Sequence, residues 1–453
     1  MIFSSASFLF AFLPCVAVVY YILRSRLARN VFLTLVSLFF YAWGEPWFVL
    51  VMLLSIVINW FVALRIGAGR HKKAWLVAGL VCDLGLLGVF KYLGFLMENV
   101  NWVFRLSLPV PQIVLPIGIS FFTFQAISYI IDVYRGEGRV QKNLMNVCLY
   151  ISFFPQLIAG PIVRYQTFDD QITTRRETLD DFCEGVRRFI LGLAKKVLLA
   201  NNLAALADTA FAMETTELSL VATWLAAIAY LLQLYFDFSG YSDMAIGLAR
   251  MFGFHLLENF QTPFIARSIA GFWKRWHISL TSWFRDYLYF PLGGSRVSKG
   301  RLVFNMGVVW LLTGLWHGAQ WTYLAWGGVF FVLQVFERFT GAGKWFEKHW
   351  IGHVYLCLMV LIASVVSRAD SIPHALALYQ SMFGLDGSAI FDNTARMFLR
   401  EYGVFIAAGM LCCLPAPRRV PDALRGVGLA AAGFVAITYV VMGSYNPFIY
   451  FNF

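Results

Sequence analysis

Charge is scarce in this chain: only 13% of its 453 residues are charged, while 60% are hydrophobic. A soluble domain averages about 25% charged and about 45–50% apolar residues. A soluble fold of this length has too little polar surface to cover so much apolar material, so bilayer is the expected solvent. Several catalytic signatures are missing. There is no Gly-x-Ser-x-Gly elbow, no His-Glu-x-x-His helix and no phosphate loop ending Gly-Lys-Ser or Gly-Lys-Thr, which argues against a serine hydrolase, a zinc protease and an ATPase. The seven cysteines, Cys15, Cys82, Cys148, Cys183, Cys357, Cys412 and Cys413, show no metal-ligand spacing. They read as small packing side chains, and no metal site is expected. No Lys or Arg precedes the first apolar run, Phe8 to Leu23, so it reads as a retained span rather than a signal peptide. No internal repeat is visible, which leaves an inverted-repeat transporter little support.

What is present in quantity is apolar sequence at membrane-spanning length. A crossing needs about 20 mainly apolar residues, and candidate spans lie near 7–23, 30–44, 47–64, 74–97, 113–133, 188–206, 218–236, 351–367, 398–414 and 426–443. The net charge of +11 is distributed asymmetrically. Arg24, Arg26 and Arg29 follow the first span, Arg65, Arg70, Lys72 and Lys73 the third, and Arg135, Arg139 and Lys142 the fifth; the intervening loops are nearly free of basic residues. Lys and Arg concentrate in cytoplasmic loops. The alternation predicts both termini outside and 164–188, 264–300 and 338–348 on the cytoplasmic side. It also marks a membrane orientation rather than a nucleic-acid surface, so no nucleic-acid partner is expected.

Two apolar stretches break that parity. Residues 145–163 run from one basic loop to another and contain Pro155, Gly160 and Pro161. Proline removes a donor and opposes the helical turn, so a broken, re-entrant segment fits better than a crossing. Irregular backbone at membrane depth persists only when buried in protein or lining a wet cavity. Residues 302–336 also join two basic loops, and a hairpin bending at Trp316-His317-Gly318 satisfies both ends.

Four stretches are too polar for lipid and too aromatic for loops. Phe272 to Gly294 sets Lys274, Arg275, His277, Arg285 and Asp286 among Trp273, Trp276, Trp283, Tyr287 and Tyr289. It reads either as an interfacial helix or as a cytoplasm-facing site for an anionic donor, with tryptophan faces that stack on a flat or cationic group. Leu312 to Thr322 carries His317 between Gly314 and Gly318. A lone apolar-face histidine is often a packed core residue, yet intramembrane ionisable groups are functional candidates, and a neutral imidazole can accept a proton near neutral pH. Gln233 to Asp243 contains Asp237, Ser239 and Asp243, with Ser239-Gly240 expected to interrupt the helix beside an Asp cap. Ser152 to Tyr165 belongs to the broken segment.

Taken together, these stretches resemble the membrane-bound O-acyltransferase family, in particular its bacterial branch containing the alginate O-acetyltransferase membrane subunit. The resemblance is carried by the opening Met1 to Ser5, by Leu115–Gly136, Pro155–Arg164, Leu234–Ala249, Trp273–Tyr289 and Gly314–Tyr323, and it weakens after about residue 370. It implies one polytopic all-α acyltransferase domain over 1–453, in which a ring of membrane helices with re-entrant segments surrounds a central funnel. The resemblance places the family's catalytic histidine on His317 and a second histidine on His277. It implies a cytoplasmic donor, acetyl-CoA, no permanent cofactor, a secreted polysaccharide or periplasmic acceptor, periplasmic partner proteins that modify the polysaccharide, and the bacterial inner membrane as its location, in contact with membrane lipid. Ser295 departs from the asparagine that relatives often carry after Gly293-Gly294.

Acyl transfer needs a base for the acceptor and donors for the oxyanion. His317 is the candidate base; His277, the ring N–H groups of Trp273 or Trp276 and hairpin backbone amides are all candidate donors. Lys274, Arg275 and Arg285, with Trp273 and Trp276, are candidates for binding the acyl donor. Trp316, Asp237, Ser239 and Asp243 stand as supporting residues. D-alanyl transfer from a carrier protein to teichoic acid, and a non-enzymatic transporter, are the competing readings.

Overall fold

Helix boundaries follow local capping chemistry. The Ser25 side chain accepts from the Ala28 amide and opens the helix Arg26–Ala42; Asn143, Ser298, Ser371 and Asp392 cap later helices in the same way. Such caps satisfy amide groups that lack an intrahelical partner. The expected span 113–133 begins only at Ile119, because Pro109, Pro111 and Pro116 hold the preceding chain out of helix. The computed structural model describes residues 1–415 and 421–449, and it contains no strand among the described residues. Six helical segments are long and apolar enough to cross a membrane: Phe48–Gly67, Lys72–Phe104, Leu179–Ala212, Leu220–Met251, Ile351–Arg368 and Asp422–Val441. The chain is thus an all-helical, multi-pass membrane protein.

The helices gather into two compact units, Met1–Phe189 with Ser242–Leu257, and Ile190–Tyr241 with Glu258–Phe453. In the first unit phenylalanine supplies much of the packing. Phe154 meets Phe8, Phe12 and Phe40 with ring centroids 5.5–6.5 Å apart. It belongs to the interrupted stretch anticipated from Pro155 and Pro161. A helix Leu144–Ser152 stops, a single turn Phe154–Leu157 follows, and residues 147–163 are buried without exception. Side chains take up the backbone groups that this break releases. The Phe154 amide donates to Ser37 Oγ at 3.1 Å, Gln156 Nε2 donates to the Tyr150 carbonyl at 2.6 Å, and the Tyr150 hydroxyl donates to the Val163 carbonyl at 2.7 Å. An interruption buried in protein is tolerable where released backbone groups find such partners, although Gln156 Oε1 is buried without one.

The second unit contains the expected hairpin. Helix Lys299–His317 ends where Gly318 turns extended, and Trp321–Thr340 runs back. The two pack closely through glycines: a Cβ on Gly314 would stand 2.6 Å from the Tyr323 carbonyl oxygen, and one on Gly327 2.6 Å from that of Trp310. Small residues permit this approach of helix backbones.

A further expectation fails. Ser239-Gly240 does not interrupt a helix, and Asp237 does not cap one: Leu220–Met251 continues straight through. Gly240 is small for contact rather than for bending, since a Cβ there would lie 2.8 Å from the Gly192 carbonyl oxygen. Asp237 Oδ1 instead pairs with Lys196 Nζ at 2.7 Å, with both side chains almost fully buried. Asp237 Oδ2 accepts from the Ile449 amide at 3.0 Å, and Lys196 also donates to the Pro447 carbonyl. Removing one partner of such a buried pair typically costs about 3–5 kcal/mol, so Asp237 anchors helix and chain terminus together.

Candidate active site

The site is built in the second unit on the hairpin bend and on the aromatic segment that precedes it. His317 is the last residue of its helix and is buried. Its ring Nδ1 lies 2.7 Å from the Thr313 carbonyl oxygen, one turn back. A carbonyl only accepts, so Nδ1 carries the proton and Nε2 presents its lone pair. The helix C-terminus carries partial negative charge, which favours a cation formed on this ring. Trp316 and Trp326 flank it, with ring centroids 5.0 and 4.7 Å away.

His277 joins the short helices Ile269–Trp273 and Ile278–Phe284. Its φ of 46° is left-handed, an uncommon conformation outside glycine that needs support from the surroundings. Asn259 provides that support. Its carbonyl accepts the Ile278 amide at 3.0 Å, and its side-chain Oδ1 faces His277 Nδ1 at 3.1 Å, the Ser279 hydroxyl at 2.9 Å and the Ser279 amide at 3.3 Å. A backbone amide can only donate, so the atom it meets is the oxygen, and His277 Nδ1 is the protonated nitrogen. Nε2 of His277 is then a lone pair, buried and without a hydrogen-bond partner. Burial pushes this imidazole well below its ordinary pKa, and the neighbouring His317 adds to the effect. The Trp316 ring neighbours both histidines, its centroid 5.7 Å from that of His277 and 5.0 Å from that of His317.

Two cavities meet this arrangement. A slot of about 40 Å³ is lined by His317, Trp273, Trp276, Tyr323, Trp326 and Ser364, among others. It is large enough for a water-sized group. A wider cavity of about 360 Å³ is lined by Lys274, Arg285, Tyr289, Thr313, Gln334 and Arg338, and again by Trp273. The Trp273 indole is therefore a wall of both, and its buried Nε1–H has no hydrogen-bond partner.

The structure thus brings together His317, Trp273 and Trp276, and sets Lys274 and Arg285 in the adjoining cavity. Arg285 is also held by Asp286, at 2.8 and 3.2 Å. Arg275 turns elsewhere: it lines a third, larger cavity and donates to the Gln261 carbonyl at 3.3 Å. Ser239 is buried, and its hydroxyl has no hydrogen-bond partner. Asp243 pairs with Arg188 at 2.9 Å within the first unit. Two residues escaped the sequence reading. Asn259 lies in coil with no motif around it, and Arg338 was visible only as part of a basic loop. The parity rule that put 264–300 and 338–348 on one side was the available signal for Arg338. Among the described residues, no group of three or more His, Cys, Asp or Glu side chains could hold a metal.

Comparison with known proteins gives this architecture its class. The family model described as MBOAT, membrane-bound O-acyltransferase, matches residues 139–367, a stretch that includes both histidines. A protein described as a probable alginate O-acetylase of Pseudomonas aeruginosa is 44% identical over 426 residues, covering 90% of this chain and 80% of its own length. A Pseudomonas putida protein of the same description is 38% identical with both chains covered in full. The peptidoglycan O-acetyltransferase of Helicobacter pylori is 36% identical over 430 residues, 86% of this chain and 81% of that one. The chain belongs to the membrane-bound O-acyltransferase family. It is an O-acyltransferase of the multi-pass membrane class.

Proposed function

We propose that the protein transfers an acetyl group from acetyl-CoA, bound from the cytoplasmic side, to a hydroxyl of a secreted polysaccharide or periplasmic acceptor, acting as a single acyltransferase domain in the inner membrane with both termini outside. The observation that carries this reading is His317: a buried imidazole whose Nδ1–H donates to the Thr313 carbonyl, so that Nε2 is the basic nitrogen of a ring lining a slot that fits a hydroxyl. His317 Nε2 takes the acceptor's hydroxyl proton as that oxygen attacks the thioester carbonyl. The carbon–sulfur bond breaks and the proton passes to the departing thiolate, so atoms and charge balance. Trp273 Nε1–H is the donor best placed for the oxyanion, because it is buried, unpartnered and on the wall shared by slot and donor cavity. Lys274, Arg285 and Arg338 are exposed at the donor cavity and suit the phosphates of CoA. His277, beside Trp316, orients the acceptor or relays the proton. Polysaccharide-modifying partner proteins on the periplasmic side would receive or direct the group, and the names of the relatives, alginate and peptidoglycan acetylases, support a saccharide acceptor.

The test is acceptor-dependent release of CoA from acetyl-CoA by the purified protein in lipid nanodiscs, using alginate and peptidoglycan fragments. Release from acetyl-CoA with a saccharide, abolished in His317→Gln, is the expected result. Activity only with a D-alanyl carrier protein, or none with any thioester, would overturn the proposed donor.

A further inference from the structure

A further cavity in the second unit, about 1200 Å³, is distinct from the histidine slot and the donor cavity. Its long walls are apolar. Leu231 and Leu232 come from the spanning helix Leu220–Met251, Cys357, Leu358 and Leu361 from the spanning helix Ile351–Arg368, and Met410 from a third helix. One end differs, for Arg267, Ser268, Arg275, Glu347 and His353 meet there. This end is organised. Arg267 Nε donates to His353 Nε2 at 3.0 Å, His353 Nδ1 donates to the Ala266 carbonyl at 3.1 Å, Arg267 Nη1 donates to the Glu347 carbonyl at 3.3 Å, and Ser268 Oγ donates to Glu347 Oε1 at 3.0 Å. Gly352 lets the helix start approach: a Cβ there would lie 2.7 Å from the Arg267 carbonyl oxygen. Two guanidinium groups against one carboxylate leave a positive charge unanswered.

An apolar trough walled by membrane-spanning helices, with a cationic end, matches one kind of ligand. We propose that this groove binds one anionic phospholipid, with its phosphate on Arg267 and Arg275 and its acyl chains along Leu231, Leu358, Leu361 and Met410. A free phosphate would leave the apolar walls in contact with water, whereas a lipid covers them and meets the cations with charge-assisted bonds. The site also reaches the chemistry. Ser268 and Gly271 line the groove, Trp273 lines the slot and the donor cavity, and Leu231 lines both groove and slot. The bound lipid therefore braces the five-residue helix Ile269–Trp273 from behind, and acyl transfer depends on anionic lipid. That activity arm rests on the function proposed above; the binding arm does not.

The experiment uses the full chain, purified and reconstituted in nanodiscs of phosphatidylcholine with or without phosphatidylglycerol. Native mass spectrometry counts retained lipid, and thioester turnover and donor KM are measured in parallel. The wild type should retain phosphatidylglycerol over phosphatidylcholine and turn over faster with it. Arg275→Gln should weaken retention roughly tenfold, the scale of one lost charge-assisted bond, with donor KM unchanged; Arg275→Lys should restore part of it. Leu358→Trp, which fills the trough without touching a charge, should displace the lipid as well. Should Arg267→Gln fail to fold, the Arg275 and Leu358 variants still decide. Equal retention of the two lipids by the wild type would overturn the proposal. So would a raised donor KM in Arg275→Gln with lipid retention intact. Loss of lipid preference together with an inactive wild type would be two separate failures, visible in separate readouts.

Discussion

Replacing Asn259 with aspartate puts a charge beside His277 and removes a buried side-chain NH2 group. The new carboxylate keeps three donors within reach, the Ser279 amide and hydroxyl and His277 Nδ1, at 3.3, 2.9 and 3.1 Å. Convergent donors favour the ionised carboxylate. An opposite charge at that range raises a histidine pKa by about 1–3 units, each equivalent to about 1.36 kcal/mol. In the wild type, burial and His317 hold the His277 ring far on the neutral side. The aspartate works against both, so His277 takes its proton at higher pH and its Nε2 lone pair is lost sooner as pH falls. Where His277 relays the proton, the acid limb of log kcat against pH therefore moves upward, while the rate well above the limb changes little. The assay is CoA release across a pH series, normalised to folded membrane protein. Asn259→Ala is the poorer probe: it leaves three buried donors unanswered, each costing about 1–3 kcal/mol, and should reduce folded protein. A well-folded Asn259→Asp with the wild-type pH profile would refute a proton-relay role for His277.

Other expectations follow from the same geometry. His317→Gln retains a group able to donate to the Thr313 carbonyl but cannot take a proton; kcat should fall about 10²–10⁴-fold at a near-normal membrane level, and an active, well-expressed His317→Ala would end the mechanism. Lys274→Gln combined with Arg338→Gln should raise the KM for acetyl-CoA more than it lowers kcat, measured by initial rates. Because the pKa of folded His277 is depressed, the unfolded chain binds more protons below about 6.5; stability should be level above that pH and decline below it, as thermal unfolding in nanodiscs would show, with less decline in His277→Gln. A single cysteine placed at position 299 should react with impermeant reagent only from the cytoplasmic face.

Much of the fold was legible because its determinants are local. The glycine after His317 marked the hairpin bend, whereas the proline-bounded coil at 109–116 and the serine and asparagine caps emerged only with the structure. The interruption near Pro155 was readable for the same reason. Gly240 was misread because a glycine in a helix signals flexibility and close contact with the same letter, and only the opposing Gly192 backbone distinguishes them. In the site, the histidines stood out as ionisable groups in apolar sequence. Asn259 did not, since an asparagine in coil gives no hint that a left-handed histidine 18 positions later leans on it. Arg275 was grouped with Lys274 by adjacency, yet the short helix before them ends so that the two side chains reach different cavities.

The shared helix Ile269–Trp273 has a consequence for how this enzyme can be altered. Each of its faces belongs to a different compartment, so a substitution there is heard by donor, acceptor and groove together. Adaptation to a new donor should avoid it. Met306 and Val309 line the donor cavity and neither the histidine slot nor the groove. Trimming them would lengthen that room for a larger acyl group while leaving the histidine slot and the groove as they are, which makes that wall the part of the molecule free to vary.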